Sequence, residues 1–174
     1  MIVHPEEAEE HWQPQPANGW VRIYARTAGL SCGLQELPPL GKVREHCHPR
    51  HDEFFHVLEG EGLAKIGDRV CLTRPGSFLH IPPGIRHGFI NAGDVPYRWF
   101  WWFSPPGLEE FFRAIGRPKR PGLPDPTPYP RPADVVGIEL ATVFAPLDPP
   151  AIFPWDATPI TDPGIVQALR AQAG

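Results

Sequence analysis

Four side chains carry the clearest chemistry in this sequence: His46, His48, Glu53 and His87. His46 and His48 flank the single residue Cys47 in a stretch that reads as a strand. Residues i and i+2 of a strand project from one face, so the two imidazoles stand close enough to share an ion. Pro49–Asp52 reads as a short turn that returns the chain as the next strand and brings Glu53 alongside them. The turn Pro82-Pro83-Gly84 feeds His87 into an adjacent strand on the same interior face. Three neutral imidazoles and a carboxylate suit one divalent transition metal, with Fe, Mn, Ni, Co, Zn and Cu all compatible. An octahedral ion held by these four would keep about two positions for water, O2 or substrate.

Alternation along the strands assigns the neighbours. Arg44 shares the face of His46 and His48, where it either meets an anionic substrate group or lies in solvent at the rim. Phe55 shares the face of Glu53, and Phe89 that of His87; each either walls a pocket or packs a core. Trp101, within the run Tyr97-Arg98-Trp99-Phe100-Trp101-Trp102-Phe103, is expected with them on the substrate side. Cys47 should point away from both flanking histidines, and His51, in the turn, should be exposed. His56 and His80 receive no role. Glu53 is also the candidate catalytic base: burial raises its pKa, a metal lowers it, and a carboxylate released from the metal can take a proton.

The elements that must position these groups are short apolar segments separated by turn signals, the pattern of an all-β sandwich or barrel. Expected strands are Val21–Ala25, Ser31–Leu37, Val43–His48, Glu53–Leu58, Gly62–Ile66, Arg69–Thr73, Ser77–Ile81, Gly88–Asn91 and Tyr97–Phe103. Pro38-Pro39, Glu59-Gly60-Glu61, Arg74-Pro75-Gly76 and Ala92-Gly93-Asp94 supply turns, and Ile66-Gly67-Asp68-Arg69 a tight hairpin. Leu108, Phe111, Phe112 and Ile115 recur at helical spacing between Gly107 and Gly116. Fifteen of the 25 prolines lie at or beyond Pro105, so composition shifts there. The expected division is an acidic arm (1–19), a β-barrel domain (20–115) and a proline-rich extension (116–174). In that extension, Val135–Phe144 reads as a strand or helix and Gly164–Ala173 as a short helix. Phe144, Leu147, Ile152, Phe153 and Trp155 are poor residues for a solvated tail, so it should lie across the barrel or a partner subunit.

Two stretches resemble the paired signature of the cupin superfamily. The first motif, G-x5-H-x-H-x3-4-E-x6-G, is matched by His46, His48, Glu53 and Gly60; the second, G-x5-P-x-G-x2-H-x3-N, by Gly76, Pro82, Gly84, His87 and Asn91. One departure is that Gly41 stands one residue too close to His46. The resemblance implies an all-β, single antiparallel β-barrel or jelly roll holding one metal through His46, His48, Glu53 and His87. It is similar to small single-cupin oxygenases of the quercetinase-like group, which implies a dioxygenase acting on a small aromatic or enolic substrate. Acireductone-type dioxygenases, cupin isomerases and cupin lyases share the ligand set, and a non-redox isomerase or cyclase or a non-catalytic binding cupin stands as the alternative. Cupin lyases that cleave dimethylsulfoniopropionate carry a tyrosine where Phe55 stands, which counts against that activity.

Composition narrows the partners. A net charge of −4 offers no basic face for nucleic acid, and no apolar run is long enough to span a bilayer as a helix. The N-terminus, with Glu6, Glu7, Glu9 and Glu10, is unlike a secretory signal, and three sparse cysteines fit reduced thiols; a cytoplasmic location is expected. The two-faced aromatic run calls for a second covering surface, for which a homodimer is the simplest source.

Overall fold

A computed structural model describes residues 2–173. After a 3-10 turn at Pro5–Glu7, the strands are β1 (Glu9–Trp12), β2 (Trp20–Arg26), β3 (Ser31–Leu37), β4 (Lys42–His46), β5 (Asp52–Glu59) and β6 (Gly62–Ile66). They continue with β7 (Arg69–Thr73), β8 (Phe78–Ile81), β9 (His87–Asn91), β10 (Tyr97–Ser104) and β11 (Arg117–Pro118). The helices are α1 (Leu108–Ile115), α2 (Val135–Ala141) and α3 (Pro163–Gln172). One sheet has the order β11-β1-β2-β3-β10-β5-β8 and the other β4-β9-β6-β7, all pairs antiparallel. This is a jelly roll of two facing sheets, in which inward residues alternate with outward ones.

The alternation is clearest in β10, where Tyr97, Trp99, Trp101 and Phe103 are buried while the intervening residues are half-exposed. Its register against β5 sets Phe103 opposite Glu53 and Trp101 opposite Phe55. In the smaller sheet His46 lies directly opposite His87, after an irregularity between Val43 and His46. Two ligand candidates therefore come from one sheet and one from the other, and the sandwich interior brings them together. Gly33, across β3 from Trp101, has to be glycine: a Cβ there would stand 2.6 Å from the indole and 2.0 Å from Arg22 O. The hairpin expected at Ile66–Arg69 forms, with Gly67 at φ +57° as a two-residue turn requires. Asn91 ties the second motif to the fold by donating to Leu37 O (2.9 Å) and Val95 O (2.8 Å) and accepting from Gly93 N (2.9 Å).

Both ends of the chain differ from a loose arm and a free tail. Glu9–Trp12 is a strand of the large sheet, because its backbone pairs with β2 on one side and β11 on the other. The proline-rich stretch then runs along the N-terminal segment: Tyr129 Oη donates to Trp12 O (2.6 Å) and Gln15 N to Tyr129 O (2.8 Å). Val135–Phe144, left open between strand and helix, is helical as far as Ala141. Val143 and Phe144 join the main core, while Trp155, Ile160 and Val166 form a second cluster with Leu63 and Ile90. Buried Lys42 fastens this second cluster through Nζ to Pro154 O (2.6 Å). The extension packs on the sheets of its own chain. No helix among the described residues is long and apolar enough to cross a membrane.

Candidate metal centre

The site begins with how each imidazole is held. His46 Nδ1 lies 2.8 Å from Arg44 O, His87 Nδ1 2.8 Å from Ile85 O, and His48 Nδ1 3.0 Å from Val143 O. A carbonyl only accepts, so each Nδ1 carries the proton and donates. Each Nε2 is then left with a lone pair, the tautomer in which a histidine binds metal. Glu53 Oε2 is 2.8 Å from His87 Nε2 and 3.3 Å from His48 Nε2, and His48 Nε2 is buried without a hydrogen-bond partner. One donor atom from each of His46, His48, Glu53 and His87 falls within 4.8 Å of the others, and all four residues are buried. Donors about 2.1 Å from one ion and at right angles around it stand about 3 Å apart, so the cluster fits a transition metal. The orphaned Nε2 atom supports the same fit.

Burial sets the electrostatics. It pushes His46 well below the usual imidazole range, helped by the neighbouring His87 and His48. Burial alone would raise Glu53, but the adjoining His48 and His87 imidazoles outweigh it and hold the carboxyl well below its ordinary value. Metal binding uses the carboxylate form of Glu53, which these neighbours favour.

The strand expected over Val43–His48 stops at His46, so His48 is placed by the following loop and by Val143 of the extension. Phe144 covers the cluster, with ring centroids 5.3 Å from His46 and 4.8 Å from His48. His46 and Glu53 open onto a cavity of about 80 Å3. Phe55, Phe89 and Trp99 wall it, with Phe55 and Phe89 edge to face at 4.7 Å, and α1 closes it through Phe111 and Phe112. Trp101, expected on the substrate side, is instead fully buried and absent from the cavity wall. The space left by Gly33 admits its indole, which packs on Phe112, and Trp99 takes the lining position. Arg44 does line the cavity, but its guanidinium is paired with Glu139 of α2 rather than free at a rim.

His51, expected to be exposed, is half-buried because its ring stacks on Phe103 at 4.7 Å. Cys47 is buried, lies outside the ligand cluster, and has its thiol pKa raised by that burial. His80 is exposed and paired with Asp52 at 2.7 Å. Sequence reasoning missed Trp99, Arg131 and the Val143 carbonyl as parts of the site. The strand parity of Trp99 offered a signal; a backbone acceptor 95 residues from its histidine offered none.

His48→Ala and Glu53→Ala should each lower bound metal well below one per chain by elemental analysis. Retention of full stoichiometry in both would contradict the ligand set. A second expectation concerns pH. Because the fold lowers the His46 pKa, the unfolded chain binds more protons once pH falls below about 6.5. The stabilising contribution is present above that value and lost below it, at up to about 1.4 kcal/mol per pH unit for one group. The melting temperature of metal-free protein should therefore drop between pH 7.5 and 5.5, and by less in His46→Gln; equal slopes would exclude His46 as the cause.

Comparison with known proteins agrees with this geometry. The Cupin domain family matches residues 33–103. Polyketide synthase CurC from Streptomyces cyaneus is 30% identical over 112 residues, covering 52% of this chain and 73% of CurC. Quercetin 2,3-dioxygenase from Bacillus subtilis is 33% identical over 84 residues, 48% of this chain but only 24% of that protein. Among solved structures, the polyketide cyclase RemF from Streptomyces resistomycificus aligns with a TM-score of 0.53 at 21% identity, over 60% of this chain and 78% of RemF. Motif, fold and relatives coincide: the chain belongs to the cupin superfamily.

Proposed function

We propose that the protein is a metal-dependent enzyme acting on a small aromatic or enolic substrate, with dioxygenation as its reaction. The observation that carries this reading is the convergence of three Nε2 atoms and one carboxylate on an aromatic-walled cavity. When bound, a metal would supply Lewis acidity toward an enolate or phenolate oxygen and, if redox-active, a centre for O2 chemistry. His46, His48, His87 and Glu53 would hold it. Phe55, Phe89 and Trp99 offer flat apolar faces to an unsaturated ring and keep water from it. Among the described residues Glu53 is the one carboxylate lining the cavity, so it is the group to accept a proton from the substrate hydroxyl or acidic C–H. The matched segment of quercetin 2,3-dioxygenase supports the oxidative reading.

A second reading is favoured by a specific observation. CurC, matched over 73% of its length, bears the name of a polyketide synthase protein, which supports a poly-carbonyl substrate and a non-redox cyclisation. Both reactions begin with the same proton removal by Glu53 and diverge in their need for O2. Metal-reconstituted protein should consume O2 with flavonol or dihydroxyaromatic substrates, and Glu53→Gln should lower turnover by about a hundredfold or more. Anaerobic conversion of an enolic poly-carbonyl substrate without O2 uptake would favour cyclisation, and inertness in both assays would overturn the enzymatic reading.

A homodimer belongs to the same proposal. The outer face of the large sheet presents Tyr24, Phe54, Phe100 and Trp102, and Phe78 of the edge strand β8 is 62% exposed. Such an apolar face with an open strand edge suits a second copy. Light scattering should give twice the 19.4 kDa chain mass, and Phe78→Glu with Trp102→Glu should halve it; a monomeric parent protein would refute this.

A further inference from the structure

Beside the same cavity, two guanidinium groups share one carboxylate. Arg44 of β4 and Arg131 of the proline-rich stretch both line the cavity, and both pair with Oε1 of Glu139 on α2. All three side chains are less than one-fifth exposed, at 19%, 18% and 12%. Two cations and one anion leave a surplus of one positive charge in a largely desolvated place. Burial and the nearby Arg44 charge both push the Arg131 pKa down, so the pairing is held against its own repulsion. Two guanidiniums bring ten N–H donors, whereas one carboxylate has about four acceptor positions. Arg44 Nη1 uses a further acceptor, Glu45 O at 2.9 Å, and the side-chain acceptors that line the cavity are Gln13, Gln15, Gln35 and Glu53, fewer than the donors the two guanidiniums bring. Donors are left over beside the cavity. A contact that merely tied down α2 would need one arginine and would not place the second beside it.

We propose that Arg44 and Arg131 form a carboxylate clamp, so that the substrate is an aromatic or enolic monocarboxylic acid. Its ring lies against Phe55, Phe89 and Trp99, and its carboxylate completes the charge balance that Glu139 half supplies. A monoanion neutralises the surplus, whereas a phosphate dianion would overshoot it. Planar bidentate pairing is the geometry guanidinium and carboxylate share. Arg131 thereby becomes a specificity-determining residue contributed by the extension. This inference rests on the reading of the cavity as the substrate site.

The test titrates full-length, metal-loaded protein with benzoate and with benzyl alcohol, a neutral near-isostere, by calorimetry, and repeats both after chelation. Benzoate should bind in both forms and benzyl alcohol about tenfold or more weakly; Arg131→Gln and Arg44→Gln should each weaken benzoate by about the same factor. Glu139→Gln should strengthen benzoate binding, because it removes a competing anion. A purely tethering role demands the opposite sign, so weaker binding in Glu139→Gln overturns the clamp. Benzoate binding that vanishes on chelation overturns it too. If Arg131→Gln fails to fold, Arg131→Lys and Glu139→Gln carry the same decision. Unchanged benzoate affinity in Arg131→Gln, with neutral enols still turned over, would sink the clamp alone. Benzoate binding without turnover of any substrate would sink only the enzymatic reading.

Discussion

Three backbone carbonyls, of Arg44, Ile85 and Val143, each accept a hydrogen bond from the Nδ1–H of a histidine and so point that ring's Nε2 inward. This one constraint turns three buried imidazoles into a convergent donor set around Glu53. Without a cation, lone pairs facing one another and a carboxylate in a desolvated interior are costly. The fold therefore has to hold them in place against their own preference. It does so with sheet register on one side and chain packing on the other. His46 and His87 are locked by direct pairing of β4 and β9, and Glu53 by the pairing of β5 with β10.

The third histidine depends on a more distant part of the chain. His48 follows the end of β4 and takes its Nδ1 acceptor from the extension, which also lays Phe144 over two of the rings. The proline-rich segment thus belongs to the site physically, as a cover and as a hydrogen-bond partner. The same extension brings Arg131 and Glu139 to the cavity and fastens itself to β4 through Lys42. Prolines fix much of its backbone in advance, lowering the conformational entropy lost when it packs. Dense aromatic packing beneath, from Trp101 in the space left by Gly33 out to Phe112, gives the cavity wall its rigidity.

Much of this was legible in the chain itself. The two motif stretches carry fixed spacing, and strand parity puts His46, Glu53 and His87 on inner faces without knowledge of the tertiary fold. The Ile66–Arg69 hairpin was readable because two residues with glycine leave few turn geometries. Parity put Phe55 and Phe89 on the ligand-bearing faces and left open whether they wall a pocket or pack the core; both line the cavity. It failed for Trp101 because alternation gives the face and not the depth along it; a glycine on the neighbouring strand decided where the indole went. It failed for Glu9–Trp12 because four acidic and aromatic residues look like a solvated arm until β2 and β11 flank them. The role of Val143 was illegible for a simpler reason: a backbone carbonyl has no residue type to read.

X-ray absorption at the edge of the bound metal, on protein loaded with one equivalent, tests the central claim most directly. The arrangement of donors predicts a shell of nitrogen and oxygen near 2.1 Å with multiple-scattering features of three imidazoles and no sulfur. A spectrum showing sulfur from Cys47, or fewer than three imidazoles, would contradict it.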